Sequence, residues 1–387
     1  MGTTIQKTRW LGAGLLVIGL FVMLKFLIKQ RPETLPVRSE GYQMLVTPDG
    51  HYLVQGELSW AGSLNVFDLR RKQFQSQHPP ETNHEKLGAY RIAALPDSRT
   101  VAGIHGIPPA GGDITSIALY DVTNQNNFRV IARRQVVGRA LACSLTSSEI
   151  ATFNVKGELC FWNPQNGRML RKWAGFTRKG KSYQPGPAPN VAMGESVPLS
   201  LAFSPDGKTL AMGGQFCFSR SGVGSSYSLM RSPASLWDVR TGRNIRDLPM
   251  PASALMAQNR DHWSNVLCTM LVFSPDGRYL ATDSNGDGVV IWNVGTGAVH
   301  RVLHHSVHMQ GNTITYMFSG AGVAFSPDSR MVAAPGNYGT VDVWDVQSGQ
   351  LRRQLPASGP IAFLPDGSSL ITGGANRRGN LLSWSMP

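Results

Sequence analysis

From residue 42 onward the chain alternates short apolar runs with clusters of Pro, Asp, Asn, Ser and Gly. The clearest unit is Phe273-Ser274-Pro275-Asp276-Gly277, then Arg278-Tyr279-Leu280-Ala281-Thr282, then residues 283–288, then Val289-Val290-Ile291-Trp292-Asn293. It predicts strand, tight turn, strand, Gly-rich turn and strand, because short apolar runs bounded by turn residues favour extended backbone. Residues 299–303, after Gly295-Thr296-Gly297, supply a fourth strand. A four-stranded sheet of this kind cannot cover both of its own faces, so the unit is expected to stack against copies of itself.

The copies align on two anchors. Turns resembling S-P-D-G occur at 47–50, 95–98, 145–148, 204–207, 274–277, 326–329 and 364–367. Third-strand ends are Phe67-Asp68, Tyr120-Asp121, Trp162-Asn163, Trp237-Asp238, Trp292-Asn293, Trp344-Asp345 and Trp384-Ser385. Seven pairs of anchors in one order resemble the WD40 repeat family over nearly everything after residue 32. The fold class this resemblance implies is all-β, a seven-bladed WD40-type β-propeller, here preceded by one N-terminal transmembrane helix. Blades are expected at about 42–77, 90–134, 139–174, 199–248, 269–303 and 321–356, with a last one from Ile361 to Trp384. Two features depart from the family. The Gly-His dipeptide that often precedes the first strand is missing from its usual place, and blades one to three carry degenerate anchors. The third-strand aromatics are therefore expected to fill the space between blades by packing alone.

Residues 33–38 read as a fourth strand with no blade before it, while the last blade has three strands before the chain ends. Pairing the two closes the ring and leaves no open sheet edge. Residues 33–387 are thus one propeller, closed by 33–38 against the last blade. Before it lie a polar tail at 1–9, an apolar run at 10–28 and a short linker at 29–32. The run from Trp10 to Ile28 is broken only by Lys25, and as a helix it reaches about 28 Å, close to the thickness of a hydrocarbon core. No small-x-small cleavage site follows it, so it predicts an uncleaved single-pass membrane anchor and not a signal peptide. Basic residues flank it on both sides, leaving open the side of the membrane that carries the propeller.

Composition adds little to the fold and more to the partner. Glycine is enriched, with 42 residues in 387, as turn-dense β architecture requires. Formal net charge is +13, which points to an acidic partner surface, an anionic membrane or nucleic acid. Cys143, Cys160, Cys217 and Cys268 lack the close spacing of metal or redox sites and read as buried thiols.

The spare length collects between blades at 78–89, 174–198, 249–267 and 304–320, and between second and third strands at 104–114 and 213–234. Both loop classes leave a propeller on the same face, because strands alternate direction. That face is predicted to carry the binding site. Its basic and aromatic residues are Arg178, Lys179, Lys181, Tyr183, Arg220, Tyr227, Arg231, Arg260, His262, Trp263, Tyr316, Arg377 and Arg378. Arginine and aromatic side chains supply most interface energy, so these are the candidate partner-binding residues. The anchor is expected to enter from the opposite, tight-turn face.

Motifs suggesting chemistry fail on context. Residues 175–182 fit G-x-x-x-x-G-K-S, but Pro185, Pro187 and Pro189 follow and forbid the helix a phosphate loop needs. Residues 283–288 fit the first half of a calcium loop, yet Val294 stands where its glutamate belongs. His300, His304, His305 and His308 cluster without the helix that would bring them to one face. No catalytic, cofactor or metal residue is assigned, and no enzyme activity is expected. The sequence therefore predicts a membrane-tethered scaffold that binds protein partners with acidic surface and contacts the bilayer through its N-terminal helix. Nucleic acid is not the expected partner. The alternative is a propeller enzyme or small-ligand sensor using the central channel.

Overall fold

The structure, a computed structural model, describes residues 31–38, 41–57, 64–77, 89–105, 114–124, 127–154, 158–173, 198–214, 234–249, 270–283, 288–305, 322–336, 339–374 and 379–386. The 10–28 run lies outside them. Among the described residues no helix is long and apolar enough to cross a membrane.

Blade one comprises Gly41–Val46, Tyr52–Glu57, Leu64–Asp68 and Gln73–Gln77. Blade four comprises Pro198–Phe203, Thr209–Gly214, Ala234–Asp238 and Asn244–Leu248. Blade five is Leu271–Phe273, Tyr279–Asp283, Gly288–Asn293 and Val299–His304; blade six is Ala324–Phe325, Met331–Pro335, Val341–Asp345 and Leu351–Leu355. Each is an antiparallel sheet in chain order. Blade seven takes three strands from the C-terminal end, Ser358–Phe363, Ser369–Gly373 and Asn380–Ser385, and its outer strand from Glu33–Arg38. That strand pairs antiparallel with Asn380–Ser385, Glu33 opposite Ser383 and Arg38 opposite Asn380, so the ring closes as the sequence suggests.

Blades two and three depart from the expected break near residues 134–139. Blade two is Ala89–Ala94, Thr100–His105 and Ile114–Asp121; blade three adds Ile150–Asn154, Leu159–Trp162 and Met169–Trp173. One strand, Phe128–Cys143, is both the outer strand of the first and the inner strand of the second, giving a seven-stranded sheet. Val136 and Val137 pair with Thr115 and Ile114 on one side and with Asn154 and Phe153 on the other. Residues 135–137 are Gln and two β-branched valines, which favour extended backbone, and the strand runs on through Gly138.

Seven apolar clusters occupy the seven junctions between consecutive blades. Leu95, Ile117 and Leu119 of blade two meet Ile150 and Trp162 of blade three. At the seam, Leu35, Val37, Ile371 and Leu381 meet Met44, Leu53 and Phe67. Each blade turns its third-strand aromatic toward the blade before it. Packing alone is not how the tryptophans sit, which corrects the expectation above. A buried indole N–H needs an acceptor. Trp162, Trp292 and Trp384 donate to Thr152, Thr282 and Thr372 on the neighbouring strand at 2.9, 3.0 and 2.9 Å. In blade four Met212 holds the threonine's register, and Trp237 donates instead to Ser235 at 2.7 Å. Blade one has Gln55 at that register, facing Phe67, which has no donor. Gln55 is 1% exposed and neither of its amide atoms is hydrogen-bonded.

The Asp or Asn that ends the W-D-like pair caps the turn to the outer strand in blades one, four, five and six. Asp68 accepts from the N–H groups of Arg70 and Arg71, Asp238 from Thr241, Asn293 from Thr296 and Asp345 from Ser348. The first turns repeat another local pattern, in which Ser204, Ser274 and Ser326 donate to Asp206, Asp276 and Asp328. Gly207, Gly277 and Gly367 close these turns at φ near +70°. Ser98 and Ser329 take the same left-handed conformation, and their hydroxyls accept from the N–H of Asp49 and Asp276 in the preceding blade.

A second inter-blade link runs around the outer circumference. Arg129, Arg171, Arg246, Arg301 and Arg353 each stand nine residues after a third-strand aromatic. Arg129 donates to the carbonyl oxygens of Pro164 and Gln165, Arg301 to that of Gln347 and Arg353 to that of Ser385, each on the next blade's third-strand end or the turn that follows it. Arg246 lies over Gly297 in the same way. Arg171 instead forks onto Glu149 and stacks over Phe161, while Trp173 covers Gly242.

Three outcomes follow from this packing. Gly207→Ala is expected to lower stability by about 2–3 kcal/mol, because a Cβ there takes a left-handed φ and runs into Thr146 Oγ1 of blade three; Gly367→Ala, with open space, should cost about 1 kcal/mol. Comparing the two unfolding midpoints checks this. Gln55→Met should stabilise by about 1 kcal/mol in chemical denaturation, since it removes two unpaired buried polar atoms at nearly constant volume. Finally, the N–H and O–H of Ser348, with Arg352, hold the Asp345 carboxyl at about 2, below the ordinary 3.8. A depressed folded value stabilises above the unfolded value and is lost as pH falls through the folded one. Asp345→Asn should therefore flatten the acid-unfolding profile between about pH 4 and pH 2.

Candidate functional site

The propeller has two chemically different faces. First-to-second and third-to-fourth strand links are short and described throughout most of the ring; they form the turn face. The opposite face is bounded by strand ends that lead into the long segments. The stems there include Trp173, Pro198, Gly214, Ala234, Leu248, Leu271, His304 and Ala324, so the longest segments attach within blade four and at the three junctions from blade three to blade six.

All thirteen candidate partner-binding residues fall in those segments and lie outside the described residues. Arg178, Lys179, Lys181 and Tyr183 belong to 174–197, and Arg220, Tyr227 and Arg231 to 215–233. Arg260, His262 and Trp263 belong to 250–269, Tyr316 to 306–321, and Arg377 and Arg378 to 375–378. What the structure supplies is the frame: every segment starts and ends on the same face, opposite the end at which Glu33 enters. The residues matching a phosphate loop lie outside the described set, as do most of those matching a calcium loop.

The stem at blade six is held by a buried polar group. His305 Nδ1 lies 3.1 Å from Asp342 Oδ2, and Gln354 donates to Asp342 Oδ1 at 3.0 Å. The His305 ring packs 5.3 Å from Trp344, and the His305 and Asp342 side chains are both almost fully buried. Sequence reading grouped His305 with His300, His304 and His308 and assigned none of them to a metal. In the structure His300 and His305 take different partners, and His308 lies outside the described residues. His300 bonds the Val346 carbonyl and stacks 4.6 Å from Tyr279. Burial and the nearby Arg301 lower its pKa, against the Val346 contact that raises it. Among the described residues no three His, Cys, Asp or Glu side chains converge to hold a metal ion.

The inner strands, which line the channel, use polar groups to hold the ring. Gln43 accepts from the Ile92 N–H and Ser200 from the Leu271 N–H, each across a blade junction. Cys143 and Cys160 are free thiols, both poor nucleophiles: burial raises the Cys143 pKa, and burial followed by Glu158 pushes Cys160 up to about 11. A cleft of about 370 Å³ opens on the turn face between blades two and three, lined by Asp97, Asp121, Arg129 and Gln165 among others. Its polar groups already serve the fold. Asp121 binds Arg99 and Thr123, which outweigh its desolvation and bring its pKa to about 2.

No family profile matches the chain. It is 26% identical over 137 residues to the WD repeat-containing protein WDS homolog of Arabidopsis thaliana, covering 34% of this chain and 24% of that protein. It is 31% identical over 116 residues to the WD repeat, SAM and U-box domain-containing protein 1 of Danio rerio, covering 30% and 20%. It is 25% identical over 264 residues to Telomerase Cajal body protein 1 of Mesocricetus auratus, covering 62% and 46%. The aligned stretches thus span from a fifth to about half the length of these relatives. The chain's homologues are WD-repeat proteins, and its own fold is a seven-bladed β-propeller.

Proposed function

We propose that this protein is a membrane-tethered scaffold that binds a protein partner of acidic surface on its long-segment face and carries out no chemistry. The propeller and its WD-repeat relatives support the coarser part, a protein-interaction scaffold. The observation that carries the finer part is the segregation of the two faces. The long basic and aromatic segments attach to one, and the strand beginning at Glu33 enters from the other. Only residues 29–32 separate that strand from the apolar 10–28 run, so a spanning helix there would hold the turn face against the bilayer and aim the long segments away from it.

Converting Arg178, Lys179 and Lys181 together to Glu should reduce partner recovery from detergent-solubilised membranes at least tenfold, as expected when several basic contacts to an acidic surface reverse sign. Removing residues 10–28 should release the chain into an alkaline carbonate wash without lowering its unfolding midpoint. Unchanged recovery of the partner would remove the acidic-surface reading; carbonate release of the intact chain would remove the tether.

A further inference from the structure

On the turn face, blade one carries the one run of three consecutive basic residues among the described turns. We propose that the blade-one turn Arg70-Arg71-Lys72, with Phe74 beside it, docks onto the anionic headgroups of a lipid bilayer. The proposal rests on the reading of residues 10–28 as the anchor.

Equivalent turns in the other blades are polar and small, such as Gln165-Asn166-Gly167, Gly295-Thr296-Gly297 and Gln347-Ser348-Gly349, or carry a single basic residue, as in Arg240-Thr241-Gly242. Blade one has three consecutive basic residues instead, and every residue from Arg70 to Phe74 is exposed. The left-handed position that Gly167, Gly242, Gly297 and Gly349 fill elsewhere is here Lys72, at φ 54°. Glycine would suit that backbone better, so the turn accepts an unfavourable conformation while keeping a charge. Asp68 does not neutralise the group in full. One of its oxygens caps the N–H groups of Arg70 and Arg71, and the other stands 3.7 Å from the Arg71 guanidinium, which is mostly solvated.

Phe74 is 48% exposed and is the one aromatic among the large apolar side chains exposed in the described residues. It pairs across the sheet with Phe67, which packs toward Leu35 and Val37 of the closing strand. Cross-strand partners share a face, so Phe74 borders that strand. Lys72 Nζ binds Glu33 Oε1 at 2.6 Å and ties the turn to the strand's first residue. Four residues, 29–32, lie between Ile28 and Glu33, at most about 18 Å of chain. A bilayer spanned by 10–28 is therefore within reach of this turn, on the same face. Arginines attract the negative leaflet, and an aromatic ring at headgroup depth is the accompanying contact.

The test uses the full chain reconstituted into vesicles of phosphatidylcholine, with and without phosphatidylserine. Phenylglyoxal modification of Arg70 and Arg71 is followed by mass spectrometry, with Arg240 on the turn face of blade four as the internal control. Modification at Arg70 and Arg71 should be about tenfold slower with phosphatidylserine, as two basic groups at an anionic surface imply, while Arg240 changes little and high salt removes the difference. Equal rates in the two lipids overturn the proposal, whether or not the chain is retained on the vesicles. So does equal protection by a polyglutamate peptide in phosphatidylcholine alone, which would assign the turn to an acidic protein segment. Carbonate extraction of the same vesicles reads the tether separately.

Discussion

Every blade has two apolar faces and no means of covering either by itself. Val54, Leu64 and Val66 of blade one, all near zero exposure, are buried by Ile92, Val101 and Tyr120 of blade two, while Leu53 and Phe67 on the opposite face are buried by blade seven. The same holds at each junction around the ring. Closure is thus an energetic requirement and not an ornament of topology. Without Glu33–Arg38 on its edge, blade seven would present an unpaired strand and uncover Leu381 and Ile371. The largest favourable term in folding is therefore collected only when the two ends of the propeller meet.

Polar groups inside this stack are tolerated where they find partners. The threonine-to-tryptophan bonds of blades three, five and seven satisfy an indole that packing has buried. Asp342 does the same work in blade six by holding His305 and Gln354 together. Among the described residues the exceptions are His305 Nε2 and both amide atoms of Gln55, which sits at the closing junction in the blade whose third-strand aromatic, Phe67, has no hydrogen to donate.

The two faces divide the labour. On the turn face, aspartates and serines are taken up by backbone N–H groups or by each other, and arginines on the outer strands reach the next blade's turn or third-strand end. Little remains there for a partner except around Arg70, Arg71 and Phe74. The other face is bounded by strand ends alone, so length and composition can vary in its segments without disturbing the stack. A scaffold that binds on one face and is fastened at the other needs this separation, because the fastening strand is itself part of the ring.

How much of this was legible before folding depends on the range of the interaction. The number and order of blades, the outer strand at 33–38 and the identity of the loop-rich face could be read from residues 32–387, because turn residues and strand periodicity are local. The candidate residues were legible only as basic and aromatic letters in long segments, and such segments carry no periodicity from which an arrangement follows. The continuous strand Phe128–Cys143 was missed because a strand end is read from turn formers, and Gly138, the one turn former between Arg134 and Ala140, is taken up within the strand. The arginines nine residues after the aromatic were visible as a spacing, yet nothing local says that Arg301 should meet Gln347 or Arg353 meet Ser385. The pairing of Lys72 with Glu33, and of His305 with Asp342, lay still further from reach. The sequence by itself determined which short strands form and how many sheets they make, since those choices rest on neighbours in the chain. Only the tertiary structure decided which side chains meet across a junction, since that depends on the angle at which one sheet stacks on the next.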